Sequence, residues 1–383
     1  MKILYHHRIR SKDGQYVHLE EMVTALRALG HEVILVGPKA TEEEEFGSDA
    51  GIVAMLKKLL PGAMYETLEL GYSLIAYRKL KRAALLHKPD GLYERYNLFL
   101  PSGVWLRKKL GLPMLLEINA PLFAERSKYD GIRLKSLAQW SERYAWRGAD
   151  YALPVTQVLG DLVAEQGVER KKIVVVPNGI NRERFTRGHD REASKQKLGV
   201  AGKLVLGFTG FVREWHGLDG VIDMLARRKD KNRHLIVVGD GPHLAVLKEQ
   251  ARRLGIAGQV TFTGIVARDQ VADYVAAFDV ALQPAVVAYA SPLKLFEYLA
   301  MGCAIVAPAQ ANIMEILHDG QNALLFDPQD TTGLAKAIER LCDDEDLRKR
   351  VAAGAYDTIA AQGLTWKRNA ERVVELFESL QKA

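Results

Sequence analysis

Short apolar runs alternate with amphipathic helical stretches along almost the whole chain, and few folds accept that rhythm. The run Lys2 to His6 is followed by a helical stretch at about His18 to Leu29 and then by the run Glu32 to Val36. Gly91 to Tyr96, Met114 to Ile118, Tyr151 to Val155 and Ile173 to Val176 continue the series. Leu204 to Phe208, His234 to Val238, Val260 to Gly264, Val280 to Gln283 and Ala304 to Ala307 repeat it downstream. Strands and helices in this order predict parallel sheets covered by helices on both faces. At 383 residues the chain is long enough for two such α/β domains. The turn Pro177-Asn178-Gly179 and the charged stretch Arg182 to Lys197, which has no periodic apolar face, mark the boundary. We expect domains at residues 1–180 and 181–363, with a last helical segment at 364–383.

Ligands of such sheets bind outside the carboxyl ends of the strands. That rule nominates Glu94, Arg95 and Asn97 after the third run, and Glu117 and Asn119 after the fourth, as candidates for the cleft. Local pairing of Glu94 with Arg95 is the competing reading. In the polar loop Arg8 to Tyr16, Gly14 is either a turn glycine or a close backbone approach to a ligand. His18, at the start of the helix that follows, is either a surface histidine or a ligand contact. In the second half, Gly239-Asp240-Gly241-Pro242 opens a helix whose amides can face an anion.

Composition narrows the partners. The only cysteines are Cys303 and Cys342, read as free thiols of a reducing compartment. No Cys/His cluster has metal-ligand spacing, and no metal is expected. The net charge of +6 suits an anionic substrate or an anionic membrane surface. The charge is dispersed and carries no aromatic-basic signature, so no nucleic acid is expected. No run reaches the roughly 18 apolar residues of a spanning helix, and MKILYHHRIRSKDG lacks the apolar core of a secretion signal. We therefore expect a cytoplasmic chain, either free or peripheral on the inner face of the membrane. The region Gly51 to Leu86 carries Lys57, Lys58, Arg78, Lys79, Lys81 and Arg82 among Leu, Tyr and Ala. It fits ordinary packing with a solvated basic face, or a helix lying on a membrane. The acidic runs Glu42 to Glu45 and Asp343 to Asp346 read as solvated segments.

The most informative stretch is Tyr289 to Pro308, YASPLKLFEYLAMGCAIVAP. It reads as helix, turn and buried strand. Ser291 is a natural N-cap and Pro292 fits the first helical position. Leu295, Phe296 and Leu299 share the buried face, and Gly302 can end the helix in the left-handed conformation. Lys294 is out of place in the first turn, where the macrodipole disfavours a cation by about 0.3–1 kcal/mol. Glu297 lies three residues on. The pair is either a surface ion pair or a phosphate-binding lysine beside a carboxylate that accepts from sugar hydroxyls.

This stretch resembles the nucleotide-sugar site of retaining glycosyltransferases of the GT-B fold, in the large family four that includes many bacterial polysaccharide enzymes. The resemblance covers nearly the whole chain and is strongest from Gly207 to Phe326. It implies two Rossmann-like α/β domains facing a cleft, with the last helix crossing back to the first domain. VPNGI followed by Phe185 resembles the family's domain junction. Glu297 matches the family glutamate that binds the nucleotide ribose. The other family glutamate falls at Tyr289, a departure that leaves its role near the donor sugar open. In TGFVREWHG the usual diphosphate-binding arginine and lysine fall at Phe211 and His216, so Arg213 is the available guanidinium and His216 needs a proton to replace the lysine. Trp215 is a packing anchor or a sugar platform.

The implied donor site comprises Gly14, Gly210, Arg213, His216, Gly241, Val266, Ser291, Pro292, Leu293, Lys294 and Glu297. The implied acceptor side comprises His18, Glu94, Asn97, Glu117 and Asn119, with Asn119 where related enzymes often carry a histidine. Arg213, Lys294 and Asn119 are the expected catalytic residues. Glu315 resembles a family glutamate of undefined role. The implied reaction moves a sugar from a UDP or GDP sugar, a co-substrate and not a cofactor, to a glycan or lipid-linked acceptor with retention of configuration. Two alternatives stand beside it. One is a non-catalytic nucleotide-sugar-binding subunit, and the other is a GT-B enzyme without an acceptor, such as a nucleotide-sugar epimerase.

Overall fold

A computed structural model describes residues 1–9, 14–38, 60–129, 131–186, 190–228 and 231–382. The acidic run Glu42 to Glu45, Lys57, Lys58 and the expected start of the basic helix lie outside the described residues. The chain divides into two compact units. One holds Met1–Asn178, Tyr289–Ser291 and Trp366–Ala383; the other holds Gly179–Ala288 and Pro292–Thr365.

The first unit is built on five strands: β1 (Lys2–His6), β2 (Glu32–Val36), β3 (Gly91–Arg95), β4 (Met114–Ile118) and β5 (Tyr151–Pro154). They pair in the order β2-β1-β3-β4-β5, all parallel. Six described helices connect them: α1 (Gly14–Ala28), α2 (Gly62–His87), α3 (Ser102–Leu110), α4 (Leu122–Tyr129), α5 (Lys135–Gly148) and α6 (Gln157–Glu165). The helix expected from His18 begins earlier, so Gly14 is its exposed first residue and not a loop glycine. The run Ile173 to Val176 does not form a sixth strand. It follows β5 through two backbone bonds, Val174 N–H to Ala152 O and Val176 N–H to Pro154 O, and makes only an isolated bridge.

The helix Trp366–Gln381 also belongs to this unit. Its buried residues Trp366, Asn369, Ala370, Val373 and Phe377 recur at helical spacing and face one way. Trp366 meets the His18 ring edge-on at 4.8 Å, and the Asn369 amide donates to Pro177 O. Phe377 fills a notch left by Gly91, where a Cβ would stand 2.3 Å from the ring.

The second unit is a six-stranded parallel sheet in the order β11-β10-β9-β6-β7-β8. Its strands are β6 (Leu204–Thr209), β7 (Arg233–Val238), β8 (Val260–Gly264), β9 (Val280–Leu282), β10 (Ala304–Pro308) and β11 (Leu324–Phe326). The three-residue β11 carries too little pattern to be seen in the sequence. The charged approach to this unit contains a short helix, Arg191–Lys197, capped by Asp190, and its Lys195 is buried against Asp279 at 2.8 Å. The acidic run Asp343 to Asp346 joins two helices: Asp343 pairs with Arg228 and Arg233, and Asp344 caps the helix Glu345–Ala361.

Because Phe377 is fully buried against β3, Phe377→Ala should cost the first unit about 3–5 kcal/mol. Urea unfolding followed by tryptophan fluorescence measures this, since Trp366 and Trp146 both lie in that unit. An unchanged midpoint would show that the last helix does not hold the first unit together.

Candidate functional site

In the second unit the strand order reverses between β6 and β9, and crevices at such switch points hold ligands in open parallel sheets. The loop after β6 is bound to the loops of its neighbours. Gly210 N–H donates to Val238 O, Val212 N–H to Asp240 O, and Gly239 N–H to Gly264 O. Gly210 and Gly239 take φ values of 124° and 125°, and a Cβ on Gly239 would stand 2.2 Å from Gly210 O. A Cβ on Gly241 would meet Val212 O at the same distance. These glycines are needed for the close approach of two backbones, which fixes where the loop's side chains begin.

The helix Leu293–Ala300 follows β9. Ser291 does not cap it. Its hydroxyl accepts from Asn178 N–H, Pro292 is the cap residue, and no side chain closes the helix start. Gly302 ends it with φ 61°, as its Cys303 N–H to Tyr298 O bond requires. Lys294 is not a surface ion pair. Its Nζ lies 3.8 Å from the centroid of the Phe208 ring and packs against Gly210, and among the described residues no carboxylate oxygen lies within 4 Å of it. Burial pushes its amine down to about 7, against the pull of Glu297.

Glu297 is pushed up to about 7 by burial, opposed by Lys294, Arg268, a hydrogen bond from Thr209 and Arg184. The sequence reading missed Arg268 and Arg184. Arg268 lies four residues past the end of β8, so the carboxyl-end rule already pointed to it.

His216 is buried, and its Nδ1 accepts the Arg213 N–H at 3.1 Å. Burial, then Lys294 and Arg213, push it down to about 3. The ring is therefore neutral near pH 7 and does not replace a lysine charge; with Nδ1 accepting, Nε2 carries the proton and is a donor. Arg213 is exposed, its guanidinium 4.9 Å from the Phe211 centroid. Trp215 is 49% exposed and meets the His216 ring at a tilt with centroids 4.0 Å apart, so it does not anchor a core. Gly210, Arg213, His216, Lys294 and Glu297 thus converge, with Gly241 supporting their loop. Val266 packs against the hydrophobic core, and Pro292 and Leu293 lead into the helix.

Gly14, Ser291 and the acceptor-side residues belong to the first unit. There the carboxyl ends of the strands form a buried polar network centred on Glu117. Its carboxylate accepts from Tyr5 at 3.1 Å, Tyr93 at 2.9 Å, Arg95 and Asn119, and His18 Nε2 lies 3.1 Å away. Burial alone would raise its pKa, but His18, Arg95 and these donors hold it well below the usual carboxylate range. Glu94 does not pair with Arg95. It contacts His6 Nδ1 and sits where a Cβ on Gly103, at the start of α3, would stand. Glu94 and Glu117 are buried and occupied and His18 is buried, which corrects the expectation that they face an acceptor directly; Asn97 and Asn119 retain partial exposure. Tyr289 also belongs here: its carbonyl accepts from Thr156 at 2.9 Å, and its hydroxyl is bound to Glu125.

A buried carboxylate held low in pKa contributes stability above its unfolded pKa and loses it as pH falls through the folded value. Glu117→Gln should cost about 3–5 kcal/mol at pH 7, since Arg95 is left without its counter-charge. Urea titrations from pH 3 to 7 should show that cost persisting in mildly acidic buffer. A cost that vanishes by pH 5 would contradict a strongly depressed Glu117.

Residues 190–358 match the family described as glycosyl transferases group 1, and residues 13–179 match the glycosyl transferase 4-like domain. The D-inositol 3-phosphate glycosyltransferase of Stackebrandtia nassauensis is 33% identical over 222 residues, 54% of this chain and 48% of that protein. The chain thus spans about half the length of such curated relatives. The structure of Anabaena Alr3699/HepE in complex with UDP superposes with a TM-score of 0.76 at 20% identity, covering 99% of this chain and 100% of that one. The sucrose-phosphate synthase of Thermosynechococcus elongatus gives 0.75 at 16% identity, covering 100% and 99%. Both share the GT-B arrangement of two Rossmann-like domains. With both halves matched and the same fold throughout, the chain belongs to the group 1 glycosyltransferases, family four, of the GT-B fold.

Proposed function

We propose that this chain transfers a sugar from a nucleoside-diphosphate sugar, UDP or GDP, to a hydroxyl of a glycan or lipid-linked acceptor with retention of configuration. One observation carries the reading. Lys294 is an amine in the first turn of a helix, buried enough to sit near half protonation, with no carboxylate within 4 Å among the described residues. A fold keeps such a group at a cost, and an anion bound at the helix start offsets it. The leaving diphosphate gains charge as the glycosidic bond breaks, and donors fixed in advance stabilise that charge. Lys294 and the amides of its helix supply them, with Arg213 closing from its exposed position. His216 donates from Nε2 as a neutral group. Glu297 accepts from the ribose hydroxyls. Asn119 and Asn97 are the residues that reach acceptor hydroxyls, and Glu117 holds Asn119 in place. Gly14, Ser291, Pro292, Leu293 and Val266 line the donor by position. No protein nucleophile stands among these residues, and the departing phosphate oxygen takes the acceptor's proton on the same face of the sugar.

The UDP complex of the HepE neighbour supports a nucleoside diphosphate in this fold. The likeness of this chain to enzymes of polysaccharide assembly rests on the SPLKLFEY sequence form. The segments 1–180, 181–363 and 364–383 act as acceptor unit, donor unit and a returning helix. We place the chain in the cytoplasm, peripherally on the inner face of the membrane, on the strength of the basic face of α2.

An anion at Lys294 raises its pKa from about 7, so binding at pH 7.5 should take up protons. Calorimetry with UDP and GDP in buffers of different ionisation enthalpy should show that uptake for the preferred base. Lys294→Met should abolish most of the uptake and weaken binding by about 1.5–3 kcal/mol. Donor hydrolysis or transfer would separate an enzyme from a non-catalytic subunit, which Tyr289 in place of a glutamate would otherwise suit. Turnover without an acceptor would favour the epimerase reading. Equal binding by wild type and the Lys294 variant sinks the donor site.

A further inference from the structure

The strand β6 runs two residues beyond its last pairing with β9, Gly207 with Ala281, at the point where the strand order reverses. The Gly210 N–H that follows bonds to Val238 O on the β7 side, so the Thr209 N–H points the other way, past the end of the β6–β9 ladder. A buried backbone donor there needs an acceptor. Tyr298, on the helix Leu293–Ala300, supplies it: its hydroxyl oxygen accepts the Thr209 N–H at 2.9 Å. Tyr298 is fully buried, and its ring meets Phe278 edge-on at 6.3 Å. Phe278 in turn fills the space of the side chain that Gly207 lacks, where a Cβ would stand 2.1 Å from the ring. The seat of the tyrosine is thus built into β6 itself.

Two further contacts turn this support into a chain. The Tyr298 and Thr209 hydroxyls are 3.2 Å apart, and Thr209 Oγ1 lies 3.4 Å from Glu297 Oε2. The direction of the chain follows from counting protons, since each hydroxyl has one. Among the described residues the Tyr298 proton has no acceptor besides Thr209 Oγ1, so Tyr298 donates to Thr209. The Thr209 proton is then left for Glu297, whose carboxylate accepts it. The reverse direction would leave the tyrosine proton buried without a partner. Thr209 and Tyr298 are sealed while Glu297 is half-buried, so the chain runs from a closed end to an open one. Of the charged groups facing Glu297, Lys294, Arg268 and Arg184 favour its ionised form, and burial opposes it. Cys303, the other titratable neighbour of Tyr298, is pushed up to about 12 by burial and stays a thiol.

We infer that Tyr298 and Thr209 are positioning residues for the nucleotide ribose: they fix Glu297 as a charged acceptor, with Oε2 engaged and Oε1 left for the ribose hydroxyls. The inference rests on the reading of Glu297 as the ribose group and adds what keeps a half-buried carboxylate in the accepting state. A donor held against one oxygen binds the carboxylate more strongly than the acid. It also holds the side chain in one orientation before the ligand arrives, which lowers the ordering cost of binding. The resulting specificity is for nucleotides with ribose hydroxyls over those without. It carries its own pH dependence. Glu297 sits at about 7, so the preference is present above that value and is lost as pH falls through it. The diphosphate is common to both kinds of nucleotide, so the direct effects of Lys294 and His216 cancel in the ratio of their affinities.

The test is calorimetric binding of UDP, GDP and their 2′,3′-dideoxy forms to the full chain between pH 6 and 9. At pH 8 wild type should prefer the ribonucleotide at least about tenfold, the lower end for a hydrogen bond to a charged group. Thr209→Val removes the hydroxyl that reaches Glu297, and Tyr298→Phe removes the proton that orients it. Each should move the midpoint of the preference up by about one pH unit and cut it about fivefold at pH 7. Thr209→Ser keeps the hydroxyl and should retain the wild-type midpoint. The double variant Thr209→Val with Tyr298→Phe should lose no more preference than Thr209→Val alone, because the two residues act in series. Continued binding of the dideoxy nucleotide shows that a variant is folded. If wild type prefers ribose while Tyr298→Phe alters only the urea midpoint, Tyr298 is a plain backbone support and the inference is overturned. Losses that multiply in the double variant also overturn it. A wild type without ribose preference, or one that binds neither nucleotide, overturns the reading of Glu297 itself and the relay with it.

Discussion

Every strand pairing in both sheets is parallel, and the arrangement of the chemistry depends on that constraint. A parallel sheet sends all its strand carboxyl ends to one edge and starts all its crossover helices there. In the second unit that edge carries Thr209, Gly210 and the start of the helix bearing Lys294, on either side of the reversal between β6 and β9. In the first it carries His6 beside Glu94, on either side of the reversal between β1 and β3. The two edges use their polar residues differently. The second leaves a cation and a carboxylate without close ionic partners. The first binds its carboxylates into a closed network of tyrosines, arginine and histidine.

That difference separates a group fixed in one protonation state from groups poised between two. Glu117 takes hydrogen bonds from four side chains, and these donors together with His18 outweigh the burial that opposes its charge. It keeps one protonation state across ordinary pH and orients its neighbours. Lys294 and Glu297 are both driven toward their neutral forms by burial, which places them close to equilibrium with solvent protons near pH 7. A group in that condition changes state when a charged ligand arrives. His216 completes the contrast, because burial and then its two cationic neighbours, Lys294 and Arg213, keep its ring neutral.

Much of this was legible in the sequence, and the misses have physical causes. The alternation of apolar runs announced both sheets, because parallel strands are buried on both faces and read as continuous hydrophobic stretches. The motif around Lys294 was visible because a lysine in a first turn contradicts the macrodipole. The rule that polar residues at strand ends face ligands failed for Glu94 and Glu117, whose partners His6, Tyr5 and His18 come from distant segments that sequence pattern does not bring together. Ser291 looked like a helix cap because of its type and place. Asn178, 113 residues away, claims it instead. The strand β11 is only three residues long, too short for any periodicity to register.

The helix Trp366–Gln381 belongs to the unit that contains the amino terminus, while the intervening residues form the other unit. This has a consequence for synthesis on the ribosome. Domains made first generally fold first, yet here the groove at Gly91 stays open until residues 366–381 have been translated, after the whole second sheet. The first unit is begun early and closed late. Throughout that interval its β3 face and the ring of His18 lack the Phe377 and Trp366 that cover them in the finished fold. A nascent chain of this kind exposes a defined apolar notch to chaperones for the time needed to make the entire second unit.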